Sequence, residues 1–169
     1  MEEDTTCFDT CNNKWVLWYH LNNDTNWNLD SYRQLANITN KEKLTCIFNN
    51  YINEETLVKS TLFFMKDAIN PIWEDKNNIN GGSFSLKVPN KLIYETWKTI
   101  LYKGIDGSLF TNTETTNTVT GISLSPKKYY CIIKVWVSTC NDTNVNHLNL
   151  QDTKITNDVC IFKKHVSNQ

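Results

Sequence analysis

Two tryptophans in polar loop sequence, Trp27 and Trp73, are the residues whose type and context most suggest binding chemistry. Each lies among Asn, Asp, Pro or Gly residues, with few apolar neighbours that could bury an indole. A single loop tryptophan is more often an anchor to the core than a platform for a ligand. Two of them on loops that leave strands would form a slot for a flat ring. Stacking in such a slot contributes roughly 1–3 kcal/mol per base, and a cationic ring adds a cation–π term.

Two acidic residues, Glu74 and Asp75, directly follow Trp73. A carboxylate beside an aromatic slot would accept hydrogen bonds from both N1–H and the N2 amino group of guanine. Hydrogen bonds to charged groups contribute roughly 1.5–3 kcal/mol, so this contact would supply the discrimination that stacking lacks. The alternative is a solvated acidic loop, and for Asp75 we favour that alternative.

The composition bounds the class of protein. The 169 residues are 40% hydrophobic and 21% charged with a net charge of −1, which favours a globular domain and excludes a general nucleic-acid coat. No apolar run reaches the roughly 20 residues that span a bilayer, and the acidic N-terminus argues against a signal peptide. The six cysteines include no C-x-x-C pair, so we expect reduced thiols, no metal and no cofactor. Residues 1–13 are predicted to be a flexible arm and residues 14–169 one domain.

The hydrophobic pattern predicts an α+β domain with an antiparallel sheet and helices on one face. Strands are predicted at residues 14–21, 32–38, 60–65, 84–88, 118–124, 129–138 and 159–166, and helices at 41–52, 91–103 and 143–150. The first helix presents an apolar stripe of Leu44, Ile47, Phe48 and Tyr51. We expect Gly104 to end the second helix and residues 105–116 to form a polar connection.

The order of these features resembles the translation initiation factor 4E family, the messenger-RNA cap-binding proteins. The matching segments are WVLWYH at 15–20, Trp27, MKDAINPIWEDKNNINGGSFSL at 65–86 and WVSTC at 136–140. The resemblance implies a single curved antiparallel sheet, with helices packed on the convex face and the ligand slot on the concave face. Asn is abundant and Lys, Ile and Thr are common, which is typical of an AT-rich genome. This composition and the short C-terminus would fit a divergent member encoded by a parasite or a virus.

The resemblance also implies a role for individual residues. Trp27 and Trp73 resemble the two indoles that sandwich 7-methylguanine, and Glu74 resembles the carboxylate that accepts from guanine N1 and N2. Trp136 resembles the strand tryptophan that contacts the N7-methyl group. This is binding without bond breaking, and no nucleophile–base pair in the sequence indicates an enzyme.

The residues expected to hold the phosphates of the cap depart from the family pattern. Ser83 and Ser125 stand where the family has basic residues. Lys127 and Lys128 in the SPKK turn are our candidates for the triphosphate, with Lys87 and Lys134 as other nearby cations. The alternative is that these lysines are solvated surface residues.

The partner surface implied by the family is altered as well. Thr45 stands where the family's first helix carries an exposed tryptophan that clamps the scaffold factor 4G, and Trp97 and Lys98 belong to the corresponding part of the second helix. We therefore expect a cytoplasmic, non-membrane protein that binds capped messenger RNA and contacts a 4G-like scaffold differently at Thr45.

Two other readings of the sequence stay open. The protein would sequester caps and repress translation if its partner differs, or it would be an interaction protein that kept the fold and lost the ligand. An enzyme is the least favoured reading, because His20, His147 and His165 lie in unrelated contexts away from any plausible nucleophile.

Overall fold

A computed structural model of the protein describes residues 14–165 and contains one seven-stranded antiparallel sheet. The strands are β1 Trp15–His20, β2 Arg33–Ile38, β3 Thr61–Lys66, β4 Gly82–Pro89, β5 Val119–Pro126, β6 Tyr130–Val137 and β7 Cys160–Lys164. Their order across the sheet is β2-β1-β3-β5-β6-β4-β7, and every neighbouring pair is antiparallel. All seven strands were predicted, with shifted ends. The predicted arm at 1–13 and the end of the predicted domain at 166–169 lie outside the described residues.

Within residues 14–165, four α-helices accompany the sheet: α1 Lys41–Asn50, α2 Glu54–Lys59, α3 Ile93–Asp106 and α4 Thr113–Asn117. The predictions of α1 and α3 are confirmed. The predicted helix at 143–150 is wrong, because only a short 3-10 turn, Val145–His147, forms there. Sequence periodicity missed α2 and α4, which are too short to show it; their start signals are the side chains of Asn53 and Asn112, which accept hydrogen bonds from first-turn N–H groups.

The alternation of side chains along the strands separates a core face from a site face. On β6, Ile133 and Val135 enter the main core, whereas Lys134 and Trp136 point to the opposite face. The helices bury their apolar residues, among them Trp97, on the core face. A smaller cluster of Tyr32, Phe63, Met65 and Trp136 forms on the other face. The predicted α+β fold, a curved antiparallel sheet with helices on one face, is confirmed.

Two local predictions about helix α1 and the second helix are wrong. Tyr51 is 75% exposed because α1 ends just before it, and the neighbouring Ile52 is buried instead. Gly104 lies inside α3, and the helix ends at Gly107, whose φ of 68° is the left-handed conformation that glycine adopts without strain.

The predicted polar connection at 105–116 is also wrong in part. Leu109 and Phe110 within it are buried, and Phe110 forms an isolated bridge with Leu148. Short stretches of two apolar residues have no period, so the sequence pattern could not place them in the core.

Within the described residues, no helix is long and apolar enough to cross a membrane, and no group of three or more His, Cys, Asp or Glu side chains could hold a metal ion. Cys46, Cys131, Cys140 and Cys160 are free thiols in the same part of the chain.

Candidate functional site

A cleft of about 330 Å³ opens on the sheet face opposite the helices. It is lined by Trp27, Tyr32, Phe63, Pro71, Ile72, Trp73, Glu74, Ser123, Ser125, Lys134 and Trp136. The four residues predicted to contact a base, Trp27, Trp73, Glu74 and Trp136, therefore lie around one cleft although three different segments of the chain supply them. We call this the site-face cleft.

Trp27 forms one wall of the site-face cleft and is held from behind by His20. The two rings are stacked, with centroids 3.9 Å apart and planes 5° from parallel. His20 Nε2 lies 2.8 Å from the carbonyl oxygen of Asn26, and since a carbonyl only accepts, Nε2 carries the proton and donates it. The buried imidazole thus fixes the Trp27 loop to β1, while the indole itself is 54% exposed. Nothing in the sequence pattern indicated this role for His20.

Trp73 forms another wall of the site-face cleft, on a loop that hydrogen bonds hold from within. The Asp75 carboxylate accepts from the backbone N–H of Asn70 at 3.0 Å, from that of Asn77 at 2.8 Å and from the Asn77 side chain at 3.0 Å. Asn78 Nδ2 donates to the carbonyl oxygen of Ile72 at 2.8 Å. Asp75 is thus a structural residue of the loop, and the prediction that it belongs to a solvated acidic loop is wrong, because its carboxylate is buried and hydrogen-bonded within the loop.

The pKa of Asp75 reflects this internal role. Burial on its own would raise the pKa of the carboxyl group, but the hydrogen bonds from Asn77 and Asn70 outweigh burial and hold the pKa below its ordinary value. The carboxylate is therefore charged at neutral pH and keeps its hydrogen bonds to the loop.

Glu74 is exposed and lines the site-face cleft next to Trp73. Tyr32 lies on the cleft wall. Burial raises the pKa of its phenol to about 12, and the negative charge of Glu74 is the second, smaller cause. Adjacent residues on one loop thus point in different directions: Asp75 faces inward and holds the loop, whereas Glu74 lines the site-face cleft.

Trp136 lies on β6 and forms the floor of the site-face cleft. It is 7% exposed, its Nε1–H donates to Ser123 Oγ at 2.9 Å, and the ring of His165 lies 5.0 Å from its own. His165 Nδ1 is in turn 2.8 Å from the carbonyl oxygen of Asn78. Burial, opposed by that hydrogen bond and assisted by the charge of Lys134, lowers the pKa of His165. The floor therefore connects β6, β7 and the Trp73 loop.

The cationic residue of the site-face cleft is Lys134, two residues before Trp136 on the same face of β6. Burial lowers the pKa of Lys134, and the positive charges of Lys163 and Lys127 lower it further. These three lysines, from β6, β7 and the β5–β6 turn, lie close enough together to repel one another. Such a group favours a polyanion that would relieve the repulsion.

The residues predicted to bind phosphate are placed differently from one another. Ser125 lines the site-face cleft, and Lys127 acts on Lys134. Ser83 is 3% exposed and lies between Trp136 and Lys163 in the strand register. Lys128 Nζ lies 5.1 Å from the ring centroid of Tyr129, which draws it toward the tip of the turn. The period of two that places Lys134 beside Trp136 was the signal that would have singled it out.

The residues predicted for a partner surface separate into buried and accessible ones. The assignment of Trp97 is wrong, because its side chain is fully buried in the main core and cannot contact a partner. Thr45 is partly buried and its hydroxyl bonds to Lys41 O and to Tyr102 of α3. Lys98 Nζ lies 5.9 Å from the ring centroid of Phe48.

An apolar groove of about 590 Å³, which the sequence did not indicate, runs between β2 and the first two helices. Its lining includes Leu35, Ile47 and the exposed Tyr51. Leu35 and Tyr51 thus expose apolar surface beside α1.

The fold and cleft together define a class of protein: one antiparallel sheet with helices on one face and an aromatic cleft containing a carboxylate on the other. Residues 10–168 match the family model described as eukaryotic initiation factor 4E. The chain belongs to that family.

Individual relatives are distant and longer. Eukaryotic translation initiation factor 4E of Dictyostelium discoideum is 28% identical over 158 residues, which are 89% of this chain and 58% of that protein. The factor 4E of Candida albicans is 29% identical over 143 residues, 79% of this chain and 66% of that protein. A factor 4E homolog of Acanthamoeba polyphaga mimivirus is 25% identical over 133 residues, 67% of this chain and 49% of that protein. The chain thus spans about half to two thirds of the length of these relatives.

Solved structures share the fold. Ascaris suum eIF4E-3 in complex with the m7G cap has a TM-score of 0.66 at 22% identity and covers 77% of this chain and 73% of its own. Schistosome eIF4E complexed with m7GpppA and 4E-BP has a TM-score of 0.69 at 19% identity, with 79% of this chain and 73% of its own covered.

Asp75 should make the stability of the protein depend on pH. Its pKa in the folded state lies below the value of about 3.9 expected in the unfolded chain, so its contribution is complete above that value and is lost as the pH falls through the folded-state pKa. We expect Asp75→Asn to lower the free energy of unfolding at pH 7 by about 1–3 kcal/mol and to flatten its decline in acid. Urea denaturation between pH 7 and pH 3 measures both. If the variant and the wild type differed by the same free energy of unfolding at every pH, this role of Asp75 would be contradicted.

Proposed function

We propose that the protein binds the 7-methylguanosine cap of messenger RNA and acts in translation initiation in the cytoplasm. The observation that carries the proposal is the convergence of Trp27, Trp73, Glu74 and Trp136 on one cleft of about 330 Å³. Family membership and the cap complexes among the structural neighbours support the same function. The chemistry is recognition without bond breaking.

In the proposed complex the base lies between the indoles of Trp27 and Trp73. His20 stacks on Trp27 and the hydrogen bonds of Asp75 fix the Trp73 loop, so both walls are in place before the ligand arrives. Preorganised walls reduce the conformational entropy that binding costs. Trp136, fixed by Ser123, would meet the edge of the base that carries the methyl group.

Methylation at N7 makes the base cationic, and this charge explains the proposed selectivity. An aromatic face attracts a cation, with a free energy of about 2 kcal/mol when the cation is desolvated. Glu74 would accept from guanine N1 and N2 and supply the countercharge. Guanine itself is neutral and would lose the cation–π contribution.

We propose that lysines of β6, β7 and the β5–β6 turn hold the triphosphate. Lys134 lines the site-face cleft, and Lys127 and Lys163 are its charged neighbours. Ser125 on the cleft wall and Ser83, which lies between Trp136 and Lys163 in the strand register, would contribute hydroxyl groups, with Lys128 further out. Phosphate binding would then depend on Lys134. In the family pattern it depends instead on basic residues at the positions that Ser83 and Ser125 occupy here.

For the partner, we propose a 4G-like scaffold on the helical face, contacting Thr45 and Lys98. The alternative is a cap-sequestering repressor, favoured by one observation: the Thr45 hydroxyl is already engaged by Tyr102 and offers no aromatic clamp. Capture of a scaffold by the cap-bound protein distinguishes an initiation factor from a repressor.

The base pocket is tested by retention on immobilised 7-methyl-GTP and by fluorescence titration. Trp73→Ala and Glu74→Gln should each weaken binding of 7-methyl-GTP at least about tenfold, or about 1.4 kcal/mol, because they remove one stacking wall and the guanine acceptor. Ile79→Ala on the same loop and Glu114→Gln on α4 are matched controls that should bind normally. Wild-type affinity in either pocket variant would refute the proposed site.

The phosphate grip is tested by comparing 7-methyl-GTP with 7-methylguanosine. Lys134→Met keeps the volume and removes the charge, so affinity for 7-methyl-GTP should fall about tenfold while that for the nucleoside stays unchanged. As the pH rises, Lys134 should lose its charge at a lower pH than an ordinary lysine, because its pKa is lowered. The affinity of the wild type for the triphosphate should therefore begin to fall at that lower pH. Lys164→Met on β7 is the control. Equal losses for nucleoside and nucleotide would assign Lys134 to the base pocket instead.

A further inference from the structure

A second surface with the chemistry of a nucleic-acid site lies at the tip of the β5–β6 turn, beyond the site-face cleft. Tyr129 at this tip is 73% exposed, which is unusual for an aromatic side chain without a partner to cover it. We define the turn surface as Lys87, Lys128, Tyr129, Tyr130 and Lys154. The proposed base and triphosphate contacts leave it largely unused.

Each tyrosine of the turn surface is accompanied by a lysine. Lys128 Nζ lies 5.1 Å from the ring centroid of Tyr129, and Lys87 Nζ lies 4.4 Å from that of Tyr130. Lys154 lines the same pocket of about 510 Å³ as both tyrosines and Lys87, and no acidic residue is among the described residues that line it. The surface therefore offers aromatic faces beside positive charge.

Hydrogen bonds to its backbone hold the β5–β6 turn in place. Lys127 N–H donates to the carbonyl oxygen of Tyr130 at 2.8 Å, which closes the hairpin. Asn90 adds two longer contacts of 3.5 Å, from its backbone N–H to Tyr129 O and from its side chain to Lys128 O. The exposed ring thus sits on an anchored backbone, so a ligand need not order the turn to bind it.

The turn surface continues from the proposed cap site along one strand. Tyr130, Ile132, Lys134 and Trp136 alternate on the same face of β6, and Lys87 is the register partner of Ile132. The distance from Trp136 to Tyr130 is about 20 Å at a strand rise of about 3.3 Å per residue. A chain that leaves the base pocket past Lys134 would reach the tyrosines next.

The chemistry of the turn surface favours single-stranded RNA over an acidic peptide. Lysines alone would accept either polyanion, but the exposed ring of Tyr129 beside them is a platform on which bases stack whatever their sequence. The whole chain carries a net charge of −1, so this concentration of lysine is local. The turn surface adjoins the proposed triphosphate contacts, so the RNA chain would run from the cap past Lys134 toward the tyrosines.

We propose that the turn surface binds the first nucleotides that follow the cap, with Tyr129 as a stacking platform and Lys87, Lys128 and Lys154 at the phosphates. This inference rests on the proposed cap-binding function for the 5′ end of the strand. It assigns to this chain a contact with the body of the RNA, separate from the base pocket.

The test compares three ligands by fluorescence anisotropy or competition: 7-methyl-GTP, a capped oligoribonucleotide of about ten nucleotides, and the same oligonucleotide without a cap. Tyr129→Ala should weaken binding of the capped oligonucleotide about fivefold or more and leave 7-methyl-GTP binding unchanged. Lys128→Ala should also reduce the slope of log affinity against log salt concentration by about 0.7. Tyr51→Ala removes an equally exposed tyrosine, 75% exposed on the other side of the molecule, and should change nothing.

The outcomes separate this inference from the proposed function. If wild type binds 7-methyl-GTP and the capped oligonucleotide equally, or if Tyr129→Ala binds the capped oligonucleotide as wild type does, the turn surface is refuted and cap binding stands. If 7-methyl-GTP does not bind but Tyr129→Ala still weakens the uncapped oligonucleotide, cap binding fails and the RNA surface is supported. Equal competition by oligoglutamate of the same charge would contradict the stacking role, because glutamate has no base to stack.

Discussion

The alternation of side chains along strand β6 is the constraint on which the rest of the structure depends. Ile133 and Val135 must enter the core beneath the helices, and this obliges Lys134 and Trp136 to emerge on the opposite face. A shift of one residue in the register would place a lysine in the core and remove the floor of the cleft. The burial that stabilises the sheet therefore also fixes the cation and the indole of the proposed cap site. The same alternation places Tyr130, near the turn, on the face that carries Lys134 and Trp136.

The loops that complete the site depend on polar contacts behind each tryptophan. His20 stacks on Trp27 and bonds to Asn26 in the same loop, while Asp75 and Asn78 hold the Trp73 loop through its own backbone groups. These contacts satisfy backbone donors and acceptors that a loop would otherwise leave to water. The result is two aromatic walls on fixed loops: Trp27 is 54% exposed, and Trp73 is partly buried against the smaller cluster while it lines the cleft.

The sequence predicted the sheet, the helices α1 and α3 and the group of residues around the cleft, because those features follow from period-two and helical patterns and from a specific motif order. It did not reveal His20 behind Trp27, since that stacking depends on which segments meet in space. The pairing of Lys134 with Trp136 could have been found, because residues two apart on a strand share a face. Short elements such as α2 had no measurable period, and Trp97 was assigned to a surface although its bulk belongs to the core. Charge repulsion among Lys127, Lys134 and Lys163 is likewise a property of the folded chain alone.

The site-face cleft is proposed to recognise a cationic, methylated guanine between Trp27 and Trp73. Tryptophan fluorescence titration of the wild-type protein with 7-methyl-GTP and with GTP tests this proposal most directly, because the two ligands differ only in the methyl group and the charge that it brings. We expect either bound base to quench the fluorescence of Trp27 and Trp73, and we expect an affinity for 7-methyl-GTP at least about tenfold higher than for GTP. The reason is that the cation–π contribution, about 2 kcal/mol for a desolvated cation, exceeds the about 1.4 kcal/mol of a tenfold difference. Equal affinity for GTP, or no quenching with either ligand, would contradict the proposal.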